Sequence, residues 1–174
     1  MCPESQVSRR LFFACWPDEK VRTEIVARRR LIDGMSRRRV PDHNLHLTLL
    51  FLGDQPADCV EAIGQAAESI RRSGFTFRLD HFGWFRGARV VWLGGAAAES
   101  AVAVVDDLVL SMRALGLAFD QRPFRPHVTL YRKVQCLPTF PDLPHLDWRV
   151  DHFALIESLP SRPYQVLRTW PLKV

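Results

Sequence analysis

The sequence contains few cysteines, and those it has are far apart. The four residues, Cys2, Cys15, Cys59 and Cys136, include no Cys-x-x-Cys pair in a chain of 174 residues. Secreted domains that depend on disulfides carry a dense framework of cysteines instead. The spacing therefore argues against a disulfide scaffold and favours free thiols in a reducing cytoplasm.

The sequence also lacks a long apolar run. A membrane-spanning helix needs roughly 20 consecutive apolar residues, whereas the run at residues 11–16 is ended by Pro17 and three charged residues. The same run is too short to be read as a signal peptide. We therefore predict a cytoplasmic protein that makes no contact with a membrane.

Acidic residues are outnumbered, 19 against 24 lysines and arginines, which leaves a formal net charge of +5. Most of the positive charge is arginine, including two runs of three at residues 28–30 and 37–39. An arginine-rich surface favours partners that carry phosphate, because the guanidinium group matches phosphate geometry. Charge alone does not separate nucleic acid from a nucleotide, or either of them from a surface that is only well solvated.

One short motif occurs twice. His-x-Thr-x with apolar x stands at residues 46–49 and again at residues 127–130, each time in an extended-looking run. Successive side chains of a strand point to opposite faces, so the histidine and the threonine of each motif share a face. If the two motifs face each other, one pocket holds His46, Thr48, His127 and Thr129.

Such a pocket suits the cleavage of a phosphate ester. The imidazole of histidine ordinarily titrates with a pKa near 6.5, so one ring can act as a general acid while the other acts as a general base. Threonine hydroxyls can donate hydrogen bonds to phosphate oxygens as charge develops there. A single His-x-Thr is more often part of an ordinary polar strand face than of a catalytic site. Because the motif occurs twice, the two interpretations stand as equal alternatives.

A metal site is the rival explanation for paired histidines. No carboxylate or cysteine stands at ligand-like spacing beside either motif, and threonine is a poor zinc ligand. We therefore predict neither a metal nor another cofactor. Of the remaining histidines, His43 is interpreted as a loop residue, and surface or core positions are expected for His81, His145 and His152.

The order of predicted elements favours an α+β fold. The hydrophobic content of 47% with 25% charged residues is ordinary for a globular protein. Periodicity predicts strands at residues 10–16, 44–52, 75–79, 89–93, 124–134, 150–158 and 164–173, and helices at residues 17–34, 56–72 and 98–115. Three helices among segregated strands indicate mainly antiparallel sheets in a single domain, residues 1–174, without a linker.

The longer sequence around the motifs resembles a known family, the two-histidine (2H) phosphoesterases. Within them, the chain is most similar to the bacterial and archaeal RNA 2',3'-cyclic phosphodiesterases, historically named 2'-5' RNA ligases. The similarity covers nearly the whole chain. It is carried by residues 10–14 (RLFFA), 44–53 (NLHLTLLFLG), 91–94 (VWLG), 122–132 (RPFRPHVTLYR), 157–158 (ES), Tyr164 and 170–172 (WPL).

The resemblance implies a two-lobed fold with pseudo-twofold symmetry, in which mainly antiparallel sheets line a central groove and the helices lie outside. It implies that His127 is the base that activates water and that His46 is the acid that protonates the leaving 3' oxygen, without a metal. Thr48 and Thr129 would bind the phosphate, and Arg132 would add positive charge to that site. The implied substrate is RNA with a 2',3'-cyclic phosphate end, or a cyclic nucleotide. Separately, we expect the protein to be a monomer.

Two residues depart from the family pattern, and some alternatives stay open. Tyr131 stands where the family usually has a small residue, which would narrow or reshape the groove. Arg39 stands where an aromatic residue is common, so stacking on a base would use a guanidinium group. The same acid and base could also serve a 2'-5' RNA ligase or a 2'-5' oligonucleotide phosphodiesterase, and a third alternative is a noncatalytic protein that binds RNA ends.

Overall fold

The computed structural model describes residues 7–136, 139–160 and 162–173. Ten strands and three α-helices follow one another in these ranges: β1 (Ser8–Cys15), α1 (Glu19–Arg30), β2 (Arg38–Arg39), β3 (Leu47–Pro56), α2 (Cys59–Glu68), β4 (Phe75–Leu79), β5 (His81–Phe85), β6 (Val90–Gly94), α3 (Glu99–Ala114), β7 (His127–Arg132), β8 (Leu146–Val150), β9 (His152–Glu157) and β10 (Gln165–Pro171). The fold is therefore α+β, as predicted.

Local chemistry explains where several of these elements begin and end. The carboxylate of Asp18 accepts a hydrogen bond of 2.7 Å from the backbone N–H of Val21, which caps the first turn of α1. Gly116 follows α3 with φ of +69°, a conformation that glycine adopts without strain. In β4, Phe75 and Phe77 are buried while Thr76 between them is exposed, the alternation of a half-buried strand.

Eight strands form one antiparallel sheet, here called the main sheet. Its order is β10-β9-β1-β3-β7-β6-β5, and β2 pairs with the end of β7. The two motif strands, β3 and β7, are joined by a single residue pair, Leu47 with Val128. β4 and β8 form a separate two-stranded sheet.

The two faces of the main sheet differ in what covers them. One face packs against the helices in the large core, to which β1 contributes Leu11 and Phe13 and α3 contributes Leu108. On the other face, Phe12 and Ala14 belong to a separate small apolar cluster. We call this second face the open face, and both motifs lie on it.

The same irregularity interrupts both motif strands. The pairing of β3 with β1 shifts by one residue after Thr48, so Leu49 and Leu50 are both buried. The pairing of β7 with β6 shifts in the same way after Thr129, so the next two residues are both buried there as well. Such β-bulges add one residue and reverse the inward and outward alternation of everything beyond them.

The structure departs from the predicted elements at several places. β2 (Arg38–Arg39) lies in a segment predicted as a loop, and β3 continues to Pro56, where a helix was predicted to begin. Residues 42–44 form a turn of 3₁₀ helix, so β3 begins at Leu47 and not at Asn44. The strand β5 was not predicted, because it contains Gly83, and β8 was missed beside the proline-rich loop. Gly83 has a packing reason: a Cβ there would lie 2.1 Å from the Trp92 ring.

Candidate active site

The pairing of β3 with β7 brings the two motifs together. Leu47 and Val128 are opposite each other and fully buried, so their neighbours project to the open face. Continued by one residue in each direction, this antiparallel register sets His46 opposite Thr129, and Thr48 opposite His127. The structure therefore places all four predicted side chains next to one another. They share a face because their strands are neighbours in one sheet, and not because two sheets oppose each other.

Both imidazoles are oriented in the same way by the backbone. His46 Nδ1 lies 2.6 Å from the carbonyl oxygen of Asn44, and His127 Nδ1 lies 2.6 Å from the carbonyl oxygen of Arg125. A carbonyl oxygen only accepts, so each Nδ1 carries a proton and donates it. Because Nδ1 is occupied by this hydrogen bond, Nε2 is the ring nitrogen that can accept or release a proton during a reaction.

Aromatic side chains hold each imidazole in place. Trp16 stacks on His46 with 5.0 Å between ring centroids, and Tyr164 meets the same ring edge-on at 5.4 Å. On the other half of the site, Phe85 meets His127 edge-on at 5.0 Å, and Trp92 lies 6.1 Å away. The resemblance marked Tyr164 and the segment containing Trp92, but no pattern in the sequence predicted that these residues flank the two histidines.

The surroundings lower the pKa of both histidines. Burial is the largest cause for both: it lowers the pKa of His46 from 6.5 to about 4, and it also lowers the pKa of His127. The hydrogen bonds from Nδ1 to the backbone carbonyls oppose the shift. The positive charge of Arg132 adds to the lowering at both histidines, which shows that this guanidinium group lies near both rings. Both imidazoles are therefore neutral at pH 7 in the ligand-free protein.

The bulge in β7 decides which residue beyond the motif joins the site. Thr129 pairs with Trp92 on the open face, whereas Tyr131 pairs with the fully buried Val91. Tyr131 is 1% exposed and its hydroxyl donates a 2.8 Å hydrogen bond to Asp33. The expectation that Tyr131 narrows the groove is therefore wrong, because its ring points into the core. Burial and Asp33 also raise its pKa to about 12. The next residue along the strand, Arg132, returns to the open face.

The same register places Arg38, and not Arg39, on the face that carries the site. Arg39 pairs with Tyr131 and so belongs to the face opposite the site, whereas Arg38 pairs with Arg132 and shares its face. The hypothesis that the guanidinium group of Arg39 stacks on a base in the groove does not fit this register. The sequence offered no means of choosing between adjacent arginines, because the choice depends on the bulge.

The remaining histidines lie outside this cluster. His81 and His152 each pair with the aspartate next to them in sequence, and the ring of His145 lies 3.9 Å from Asp147. His43 is exposed, as expected for a loop residue, and its carbonyl oxygen accepts from the indole N–H of Trp16. Within residues 7–136, 139–160 and 162–173, no three His, Cys, Asp or Glu side chains are grouped in a way that could hold a metal ion.

A pocket opens beside His127. It has a volume of about 310 Å³ and is lined by Phe85, Trp92, Phe124 and Arg125, together with Gly95, Ala97, Pro126 and His127 itself. Aromatic rings with a nearby guanidinium group offer flat surfaces on which a heterocyclic base can stack. The site thus joins a cluster suited to phosphate chemistry with an apolar pocket.

The chain is similar to known proteins along most of its length. Residues 17–161 match the family model of the 2'-5' RNA ligase superfamily. The RNA 2',3'-cyclic phosphodiesterase of Escherichia coli is 35% identical over 171 aligned residues, covering 94% of this chain and 97% of that protein. The protein of the same name from Thermus thermophilus is 34% identical, covering 94% of this chain and 90% of its own length.

Solved structures show the same similarity in three dimensions. A crystal structure of a phosphoesterase has a TM-score of 0.88 at 32% identity and covers 97% of this chain and 100% of its own. Escherichia coli LigT complexed with 3'-AMP has a TM-score of 0.86 at 33% identity, with 95% and 99% covered. Because the family model spans most of the chain and both relatives match it almost end to end, the chain belongs to the 2'-5' RNA ligase superfamily.

Proposed function

We propose that the protein is an RNA 2',3'-cyclic phosphodiesterase that hydrolyses cyclic phosphate ends to 2'-phosphates by two-histidine acid and base catalysis. The observation that carries this proposal is the pairing of Leu47 with Val128, which sets an imidazole beside a hydroxyl twice on one open face. The relatives from Escherichia coli and Thermus thermophilus bear the name of this activity.

With the roles that the family resemblance implies, each side chain has one task in a single displacement at phosphorus. A water oxygen attacks the phosphorus and gives its proton to Nε2 of His127, while the bond from phosphorus to O3' breaks. His46 delivers a proton from Nε2 to O3', which leaves a 3'-hydroxyl and a 2'-phosphate. Thr48 and Thr129 donate hydrogen bonds to the non-bridging oxygens as negative charge develops on them. Arg132 stabilises the same charge from the end of the strand.

The chemistry selects RNA over DNA before any contact forms, because a 2',3'-cyclic phosphate requires a 2'-hydroxyl. The pocket of Phe85 and Trp92 beside His127 is placed to receive the base of the terminal nucleotide. Contacts to the rest of the strand are electrostatic and should weaken with salt.

Hydrolysis of a defined RNA end tests the proposal. We expect an oligonucleotide ending in a 2',3'-cyclic phosphate to be converted to a 2'-phosphate, at an unchanged rate when EDTA is present, because the side chains above carry every proton transfer. The position of the phosphate is read by mass spectrometry after digestion and by phosphorus NMR. A 3'-phosphate product would contradict the assignment of acid and base. Joined strands from two RNA halves would support the ligase alternative instead.

The lowered histidine pKa values predict a difference between two pH profiles. The profile of kcat/KM reports the free protein, and that of kcat reports the complex with substrate. In the free protein both pKa values are lowered, so the optimum of kcat/KM should lie below pH 6.5. The bound anionic phosphate favours the protonated imidazoles and raises both pKa values. The optimum of kcat should therefore lie at higher pH. Coinciding optima, or the reverse order, would contradict the burial of these rings as the cause.

We also propose that one chain acts alone, as a monomer, a single domain and a cytoplasmic protein. Both histidines and both threonines come from one chain, so the site is complete without a second copy. Cys15, Cys59 and Cys136 are free thiols, which fits a reducing compartment, while Cys2 lies outside the described residues. In the part of the chain that the structure describes, no helix is long and apolar enough to cross a membrane.

A further inference from the structure

Two arginines form a cross-strand pair at the end of the site. Arg38 in β2 is directly opposite Arg132 in β7. Arg132 lies on the open face, because Tyr131 before it points into the core, and cross-strand partners share a face. The Cβ atoms of such partners are about 4.5–5.5 Å apart. Both guanidinium groups therefore project from the surface that carries the histidines.

This pair of arginines has no counter-charge within residues 7–136, 139–160 and 162–173. Both residues are exposed, and among the described residues neither side chain forms an ion pair or donates a hydrogen bond. Three other arginines, Arg29, Arg72 and Arg122, each bind an aspartate instead. Like charges directly opposite each other in a sheet are destabilising. A bound anion would remove that cost.

A serine fixes the position of the pair. The hydroxyl of Ser36 donates a 2.7 Å hydrogen bond to the carbonyl oxygen of Arg132 and accepts one of 3.1 Å from the backbone N–H of Arg38. The two strands are thus joined by a side chain as well as by their backbones. The backbone of Arg38 is consequently held beside that of Arg132, so its side chain does not project from a freely moving loop.

The place of the pair limits what it can bind. Arg132 is three residues beyond Thr129, no more than about 10 Å along the strand. A nucleoside 2',3'-cyclic phosphate held by the two threonines can carry a second phosphate only on its 5' oxygen, because the 2' and 3' oxygens are already used. In an RNA strand this second phosphate is the diester that links the terminal nucleotide to the one before it.

We propose that Arg38, beside Arg132, binds the phosphate on the 5' oxygen of the terminal nucleotide, so that the protein prefers RNA ends to cyclic mononucleosides. This inference rests on the proposed function. The guanidinium group of Arg38 presents a fork of N–H donors to this second phosphate, while Arg132 beside it serves the reacting phosphate.

The test compares three substrates that differ only at the 5' oxygen: adenosine 2',3'-cyclic phosphate, its 5'-phosphate, and the dinucleotide ApA ending in a 2',3'-cyclic phosphate. We expect kcat/KM to be at least tenfold higher for the second and third than for the first. In Arg38→Gln this ratio should fall to below threefold, and Arg38→Lys should recover part of it. Arg39→Gln removes the same charge one residue away on the other face, so it should keep the ratio of the unaltered protein.

The outcomes separate this inference from the function on which it rests. No hydrolysis of any of the three substrates by the unaltered protein would refute the proposed function. Equal kcat/KM for all three, with hydrolysis present, would overturn the second phosphate site alone. A gain only for the 5'-monophosphate would overturn its assignment to an RNA strand. Equal losses in Arg38→Gln and Arg39→Gln would reduce the effect to overall charge and overturn the role of Arg38.

Discussion

Replacing His127 with alanine is expected to lower kcat for a cyclic phosphate end by about 10² to 10⁴ fold, the usual value of one general acid or base. The variant removes the Nε2 that accepts the proton of the attacking water, and a solvated cavity between Phe85 and Trp92 cannot replace it. His46→Ala should cause a loss of similar size. His145→Ala is the matched control, since this exposed histidine lies beside Asp147 next to the separate two-stranded sheet, and full activity is expected.

The two alanine variants can be told apart by the leaving group. A phosphodiester that expels p-nitrophenolate needs little protonation, so it should restore most of the turnover of His46→Ala. The same substrate should leave His127→Ala impaired, because a base is still required to activate water. Recovery of His127→Ala and not of His46→Ala would exchange the two roles. Unchanged turnover of either variant on RNA would exclude that histidine from the reaction.

Arg29→Met should destabilise the protein by about 2–3 kcal/mol, somewhat less than the roughly 3–5 kcal/mol for breaking a fully buried ion pair, because the carboxylate of Asp42 is half exposed. The Arg29 side chain is 2% exposed, and it donates to the carbonyl oxygen of Val40 at 2.9 Å and to the carboxylate of Asp42 at 2.5 Å. Methionine fills a similar volume but leaves both acceptors without a donor. Urea unfolding of the variant and of the unaltered protein measures the difference.

The pH dependence of this difference provides an internal check. Arg29 holds the pKa of Asp42 below its usual value. A carboxylate with a lowered pKa stabilises the fold fully above its unfolded pKa, near 4, and loses that contribution as the pH falls further. The gap in stability between Arg29→Met and the unaltered protein should therefore shrink below about pH 4. At pH 7, Arg29→Met should cost less stability when it is introduced into Asp42→Asn than when it is introduced into the unaltered protein, because the two losses are not additive. A constant gap and additive losses would contradict the ion pair.

The same variant links the fold to the site. Asp42 begins the 3₁₀ turn that ends at Asn44, whose carbonyl oxygen orients His46. Without the contacts of Arg29 this turn is less firmly held, and with it the carbonyl oxygen that orients His46. The kcat of folded Arg29→Met should therefore fall as well. The catalytic ring thus depends on a buried charge in α1, which no motif in the sequence would connect with it.

Much of the site could be predicted from the sequence because it rests on strand alternation. His46 and Thr48, and likewise His127 and Thr129, share a face for a reason that is visible in the spacing alone. The main strands and all three helices follow from periodicity. The family resemblance supplied Arg132, and the structure gives the physical reason for its position.

The parts that escaped prediction depend on contacts between distant segments. Alternation places Tyr131 on the same face as His127, and only the bulge after Thr129 sends it into the core against Asp33. The bulge arises from pairing with β6, about 40 residues earlier in the chain. Trp16, just after β1, and Phe85 in β5 likewise reach the histidines from segments distant in sequence. Sequence spacing within one motif carries no information about such neighbours.

The shared bulge also sets different tolerances for two kinds of genetic change within the motifs. Exchanging one apolar residue for another after Thr48 or Thr129 alters volume at a single point. Losing one codon there would remove the extra residue and leave Tyr131 in the core and Arg132 on the open face, whereas gaining one would enlarge the bulge or invert the sidedness of the rest of the strand. We therefore expect these segments to lose one residue more readily than they gain one over evolutionary time.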